Sequence, residues 1–216
     1  MSKFWWGCAI FLAALFAAAV TYMFAGERPP DMRTHLLVRQ DPTDKQTVIF
    51  SWSGSVDPPM AQEFSREFNR LENTTKRIVV ELDSLGGSVD EGERVIMLLR
   101  KFSKTHAVWT FVGDGKNCLS MCVPIYLQGR MRVASPNSTW LFHYARSVDA
   151  HTGAEIIMYS NERSRAKQEF FCRYIDRSDV NPKWRDRLML EMQNGDVWKS
   201  GQELKDERSN IVTVLE

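Results

Sequence analysis

The chain has 216 residues, the size of one ordinary domain with an appendage. Hydrophobic residues make up 44% and charged residues 25%, which excludes global disorder and allows a sizeable buried core. Twenty-eight Lys and Arg against 27 Asp and Glu leave a net charge of +1, so the basic excess that nucleic-acid binding requires is missing.

The first feature in chain order is residues 4–24, FWWGCAIFLAALFAAAVTYMF, which carry no charge. At about 1.5 Å per residue, a helix of this length crosses the roughly 30 Å hydrocarbon core of a bilayer. Phe4, Trp5 and Trp6 stand at one end and Tyr22 and Phe24 at the other, as aromatic residues do at membrane interfaces. Residues 1–25 are therefore read as a transmembrane helix or signal anchor. A cleaved signal peptide is the rival reading, although Met23-Phe24-Ala25 lacks the spaced small residues a cleavage site needs. Lys3 on one flank and Arg28 and Arg33 on the other do not settle orientation. An opening apolar segment is most often an export signal, which favours a periplasmic or otherwise extracytoplasmic soluble domain.

Residues 26–45 are polar, contain Pro29-Pro30, and read as a linker. A domain over residues 46–216 follows. Residues 47–52 (TVIFSW) predict a strand, and Pro58-Pro59 opens a helix with Met60, Phe64, Phe68 and Leu71 on one face. Residues 77–82 (RIVVEL) predict a second strand. After a turn, residues 88–102 predict a helix with Val89, Val95, Leu98, Leu99 and Phe102 inward. Residues 107–112 predict a third strand, and about 118–128 an apolar, buried helix. Short strands are expected at 131–134 and 139–143, helices at about 153–176 and 182–193, and a last strand at 211–215. Strands alternating with helices at this spacing predict an α/β fold with a parallel sheet.

Three places could carry chemistry. In Asp83-Ser84-Leu85-Gly86-Gly87-Ser88, glycines join a strand to a helix start, where backbone N–H groups can hold an oxyanion, or simply make a turn. Ser120 is the lone hydroxyl where a polar turn enters an apolar helix, so it is either an activated nucleophile or an N-cap. His143 closes an apolar strand and is either a general base or a structural histidine. Cys118 and Cys122 share a helix face if that stretch is helical. They read as small buried hydrophobes, because a disulfide there would strain or unwind the helix. No His or Cys pair at ligand spacing accompanies them, so no metal and no cofactor is expected.

The order of these features, in LDSLGGSVDEG and VGDGKNCLSMCVPIYLQGRMRVASPNSTWLFHYA, resembles the proteolytic subunit of Clp protease. That family shows a Ser-Pro-Gly-Gly-Ser-Val turn, a serine entering a helix, Arg-x-x-x-Pro-Asn-Ser, and a strand ending in histidine. Leu85 takes the place of the proline, while Arg132, Pro136, Asn137, Ser138 and His143 stand in order. Cys118-Leu119-Ser120-Met121-Cys122 is similar to the Cys-x-Ser-x-Cys of exported, membrane-attached relatives. The resemblance covers about residues 47–215. It implies the Clp-protease/crotonase-like fold, a spiral of repeated β-β-α units, and a membrane-tethered serine hydrolase cutting a peptide or protein. It implies Ser120 as nucleophile, His143 as base, Gly86 and Met121 as oxyanion donors, and Gly87 as support for the turn.

The family's aspartate falls near residues 190–195, on Met192, with Glu191 beside it and Asp196 four residues beyond. A Ser-His pair alone, Glu191, Asp196, or a decayed site on a binding or assembly module all stay open. Relatives on this fold bury an apolar face between subunits, so a homo-oligomer is expected, with Ile156, Ile157, Tyr159, Phe170, Phe171 and Tyr174 as contact residues.

Overall fold

A computed structural model describes residues 35–144, 171–175 and 179–216. The chain divides into two units, Met1–Arg33 and Thr34–Glu216. The first unit, with the apolar segment at 4–24, lies outside the described residues. Among the described residues, no helix is long and apolar enough to cross a membrane.

The elements of the second unit are β1 (His35–Gln40), β2 (Thr47–Ser53), α1 (Met60–Leu71), β3 (Arg77–Asp83), α2 (Val89–Phe102), β4 (Ala107–Val112), β5 (Asn117–Leu119), α3 (Cys122–Tyr126), β6 (Met131–Ala134), β7 (Thr139–Phe142), α4 (Pro182–Glu191), β8 (Val197–Ser200), α5 (Gly201–Asp206) and β9 (Val214–Leu215). A π-helical turn, Phe171–Ile175, precedes α4.

Six strands form one sheet in the order β1-β2-β3-β4-β6-β9. All its pairs are parallel except β1 with β2. Val48, Ile49 and Phe50 of β2 are all buried, as expected of a parallel strand covered on both faces. Helix α1 turns Met60, Phe64 and Phe68 inward, and Phe64 meets Phe50 and Trp52 edge to face with ring centroids 5.5 and 6.0 Å apart. Phe68 stacks on Phe102 of α2 at 3.5 Å. Each such ring stabilises the fold by about 1.5–3 kcal/mol through burial. A second sheet, β5-β7-β8, has β5 and β7 parallel and β7 and β8 antiparallel.

The two sheets meet at the end of β3. Ser84 bridges to Cys118: its N–H donates to the Asn117 carbonyl at 2.7 Å, and its carbonyl accepts the Leu119 N–H at 2.9 Å. Arg132, almost fully buried, fastens the chain's end to β6. It donates to the carbonyls of Gly129, Asn210 and Ile211 and pairs with Asp179 at 2.6 Å.

Several expectations are corrected. Residues 35–40 lie inside the stretch read as a linker, yet they form β1 against β2. The helix expected at 118–128 is only Cys122–Tyr126. Asn117–Leu119 is a strand instead, because its backbone finds partners on both sides, in Ser84 and in β7. Val89 is 41% exposed, and Ile96 takes an inward place on α2. The last strand shortens to Val214–Leu215, with Ile211 and Val212 buried ahead of it. Of the proposed contact residues, only Tyr174 has a described side chain. It is buried in the domain, and its hydroxyl donates to Glu93 at 2.6 Å.

Candidate active site

Gly86 and Gly87 occupy the crossing from β3 to α2. Gly86 has φ +89° and Gly87 φ +151°, both in the region that favours glycine. Val56 donates its N–H to the Gly86 carbonyl at 2.8 Å, and its own carbonyl accepts from Ser88 at 2.8 Å. The Ser88 hydroxyl then caps α2 by accepting the Glu91 N–H. The turn is thus held between residue 56 on one side and residue 118 on the other.

Ser120 lies between the end of β5 and the start of α3, with φ +54°. A non-glycine residue in this left-handed region costs about 1–3 kcal/mol and persists only where its surroundings over-determine it. Here the Ser120 N–H donates to the Leu141 carbonyl at 3.0 Å, and its carbonyl accepts from Val123 at 3.0 Å. The helix N-cap is Met121, so Ser120 is not the capping residue. Ser120 is half-buried in this strand-to-helix turn.

Gly86 lies directly against this turn. A β-carbon built on it would fall 2.6 Å from Ser120 Cβ, 2.8 Å from the Leu119 carbonyl oxygen and 3.2 Å from the Met121 nitrogen. Gly86, Ser120 and Met121 are therefore brought together. The Met121 side chain is buried against α2 at Gly92, where a β-carbon would fall 2.4 Å from Met121 Cγ. The Gly86 N–H donates to the buried Ser84 hydroxyl at 3.2 Å.

His143 follows the last residue of β7. The register sets Leu119 beside Leu141, so Ser120 and His143 lie one and two residues past that pair on adjacent strands. Its Nδ1 is buried without a hydrogen-bond partner among the described residues. Across the antiparallel pair β7-β8, Phe142 stands opposite Val197. One step further along both strands come His143 and Asp196. Glu191 is elsewhere: it ends α4, exposed, 3.6 Å from Lys199, which also pairs with Glu207 at 2.7 Å. Met192, where the family's aspartate was expected, is buried in the core.

Cys118 and Cys122 form a disulfide, contrary to the reading of two separate hydrophobes. They do not share a helix face, since Cys118 is in β5 and Cys122 begins α3. The strain argument fails because the residues between them make a turn. Two participants escaped sequence reading. Ser84, as acceptor for Gly86, had a signal in its place within the Gly-Gly turn. The Leu141 carbonyl had none, because it reaches Ser120 through sheet pairing. Among the described residues, no group of three or more His, Cys, Asp and Glu could hold a metal ion.

The sequence pattern of the Clp protease family matches residues 41–210. No curated protein matches the chain. Among solved structures, ClpP1 from Listeria monocytogenes aligns with a TM-score of 0.59 at 20% identity, covering 80% of this chain and 92% of its own. A mutant of a membrane-bound stomatin-specific protease, 1510-N, aligns with a TM-score of 0.60 at 13% identity, covering 77% of each chain. Another mutant of it, in complex with a substrate peptide, aligns at 0.58 and 14%, covering 77% of this chain and 73% of its own. At such identities the likeness is one of fold.

Proposed function

The chain belongs to the Clp protease family, and we propose on that footing that it is a serine peptidase with Ser120 as nucleophile. The observation that carries this reading is the packing of Gly86 against Ser120 and the Met121 nitrogen, with Ser120 in a left-handed turn. Ser120 Oγ attacks the scissile carbonyl carbon while the His143 imidazole takes its proton. The N–H groups of Gly86 and Met121 receive the oxyanion. Collapse expels the amine, which takes the proton from His143, and leaves an ester on Ser120. Water, deprotonated by His143, then hydrolyses that ester. The acid proposed to orient His143 is Asp196, which stands across from it one step past the Phe142–Val197 pair; its exposed side chain has to turn inward to reach His143 Nδ1, which holds no hydrogen bond among the described residues.

The substrate in this reading is a peptide or protein, as in the similarly folded protease held with a substrate peptide. Residues 4–24 anchor the protein in a membrane, with the soluble domain outside the cytoplasm, and the working form is a homo-oligomer. The Cys118–Cys122 disulfide supports that placement, since disulfides persist in oxidising compartments.

The test is covalent labelling of the full chain in detergent with a fluorophosphonate. The parent protein is expected to label at Ser120, while Ser120→Ala and His143→Ala do not. A folded parent protein that fails to label identifies a binding module on this fold instead. Anchoring is tested separately: full-length protein released from membranes by carbonate overturns it.

A further inference from the structure

We propose that the Cys118–Cys122 disulfide is a positioning element for the nucleophile, so that Ser120 reacts at full rate only in the oxidised protein. This rests on the reading of Ser120 as nucleophile. The bridge spans the turn that carries Ser120, from the middle of β5 to the first residue of α3. Both cysteines are fully buried, and their Cα atoms are 5.2 Å apart.

The turn has a specific need for such a bridge. Ser120 at φ +54° relaxes to an ordinary conformation unless its neighbours forbid it. Apart from the bridge, the backbone bonds to Leu141 and Val123 hold the residue. Met121, whose backbone N–H would supply an oxyanion donor, has its side chain wedged against Gly92. In the reduced protein the two sulfurs are no longer bonded and must part to van der Waals distance. Cys118, Cys122, Val123 and Trp140 are all fully buried, so the sulfurs part within the packed interior. The movement therefore falls on the end of β5 or the start of α3, which carry Ser120 and the Met121 N–H. A misplacement of about 1 Å at a reacting group costs on the order of 10²-fold in rate.

The redox step balances with a dithiol such as dithiothreitol. As the turn opens locally and exposes the bridge, one thiolate attacks a bridge sulfur to give a mixed disulfide, and the second displaces the protein thiolate. The protein gains two electrons and two protons as two thiols, and the dithiol becomes a cyclic disulfide. In a reducing compartment the peptidase is held at low activity, and after transfer to an oxidising one the turn closes and the serine becomes reactive.

The experiment uses the full chain in detergent, oxidised or equilibrated with dithiothreitol. Thiols are located by mass spectrometry, and fluorophosphonate labelling is resolved into a limiting rate and a half-saturating concentration. Reduction is expected to free Cys118 and Cys122 and lower the limiting rate on the order of 10²-fold. The half-saturating concentration and the melting profile should stay close to those of the oxidised protein, and reoxidation should restore the rate. The double variant Cys118→Ala/Cys122→Ala should show the low rate and ignore dithiol. Equal limiting rates with both thiols free, or a double variant at the parent rate, overturns the proposal. So does loss of the whole fold on reduction, which makes the bridge a general staple. If the oxidised parent does not label at Ser120, the nucleophile reading falls first and this proposal with it.

Discussion

Gly86 and Ser120 lie so close that a β-carbon on the first would come 2.6 Å from the β-carbon of the second. Gly86 also has φ +89°, where a side chain is strained whatever the space. Gly86→Ala therefore displaces the turn and with it one proposed oxyanion donor. The expected result is a fall of about 10²–10³-fold in the acylation rate, the usual cost of losing one such donor. Stopped-flow labelling, with circular dichroism to confirm that the fold survives, checks it. Near-parent acylation in a folded Gly86→Ala protein would remove Gly86 from the mechanism.

Asp196 and Glu191 are separated by their surroundings. Both are exposed, but Asp196 stands across from His143 one step past the Phe142–Val197 pair, whereas Glu191 ends α4 beside Lys199. Asp196→Asn is expected to lower turnover by about 10²–10⁴-fold, as in triads with a neutralised acid. Glu191→Gln should stay within about twofold of the parent, the effect of losing an exposed ion pair. Peptide hydrolysis by the two variants decides the matter, and equal, near-parent rates would mean a Ser-His pair acting alone.

Ser84 accepts the Gly86 N–H that the mechanism needs for the oxyanion. That N–H must leave Ser84 as negative charge develops, at a net cost of about 1 kcal/mol. Ser84→Ala removes the competing acceptor. Acylation should therefore rise about fivefold while the melting temperature falls, because the resting protein loses a buried hydrogen bond. A rate that falls along with stability would show that Ser84 shapes the turn and does not compete for its donor.

Glu93 on α2 receives the Tyr174 hydroxyl at 2.6 Å and pairs with Arg173, tying the turn Phe171–Ile175 to the domain. The Tyr174 hydroxyl first, and then Arg173, hold the Glu93 carboxyl below the ordinary glutamate range. Since the folded value is depressed, the stabilisation is full above the unfolded value and is lost as pH falls through the folded one. The side chains are partly exposed, so the effect is about 1 kcal/mol or less. Hydrogen exchange at residues 171–175, corrected for its intrinsic pH dependence, should show protection falling below about pH 4. Glu93→Gln should show the lower protection already at pH 6, and parent protein with a flat profile would exclude Glu93 as the tie.

Local pattern in the chain was enough for the parallel α/β class. Alternation and apolar spacing marked β2, α1, β3, α2 and β4, because their side chains face a core with a regular period. The Gly86-Gly87 turn, Ser120 and His143 were legible as an ordered set through their residue types. β5 was not, because Asn117–Leu119 becomes a strand only through partners at Ser84 and Thr139–Leu141, and no periodicity within three residues records that. From this one pairing follow the left-handed Ser120 and the disulfide across its turn, where sequence had placed two cysteines on one helix face. The choice between Glu191 and Asp196 was likewise beyond alignment in a short loop. The register of β8 against β7 brings Asp196 across from His143's place in the sheet, while Glu191 ends α4 beside Lys199. Pattern along the chain reports which residues face inward. Which residues meet across strands is decided by backbone pairing between segments distant in sequence, and that exists only in the folded chain.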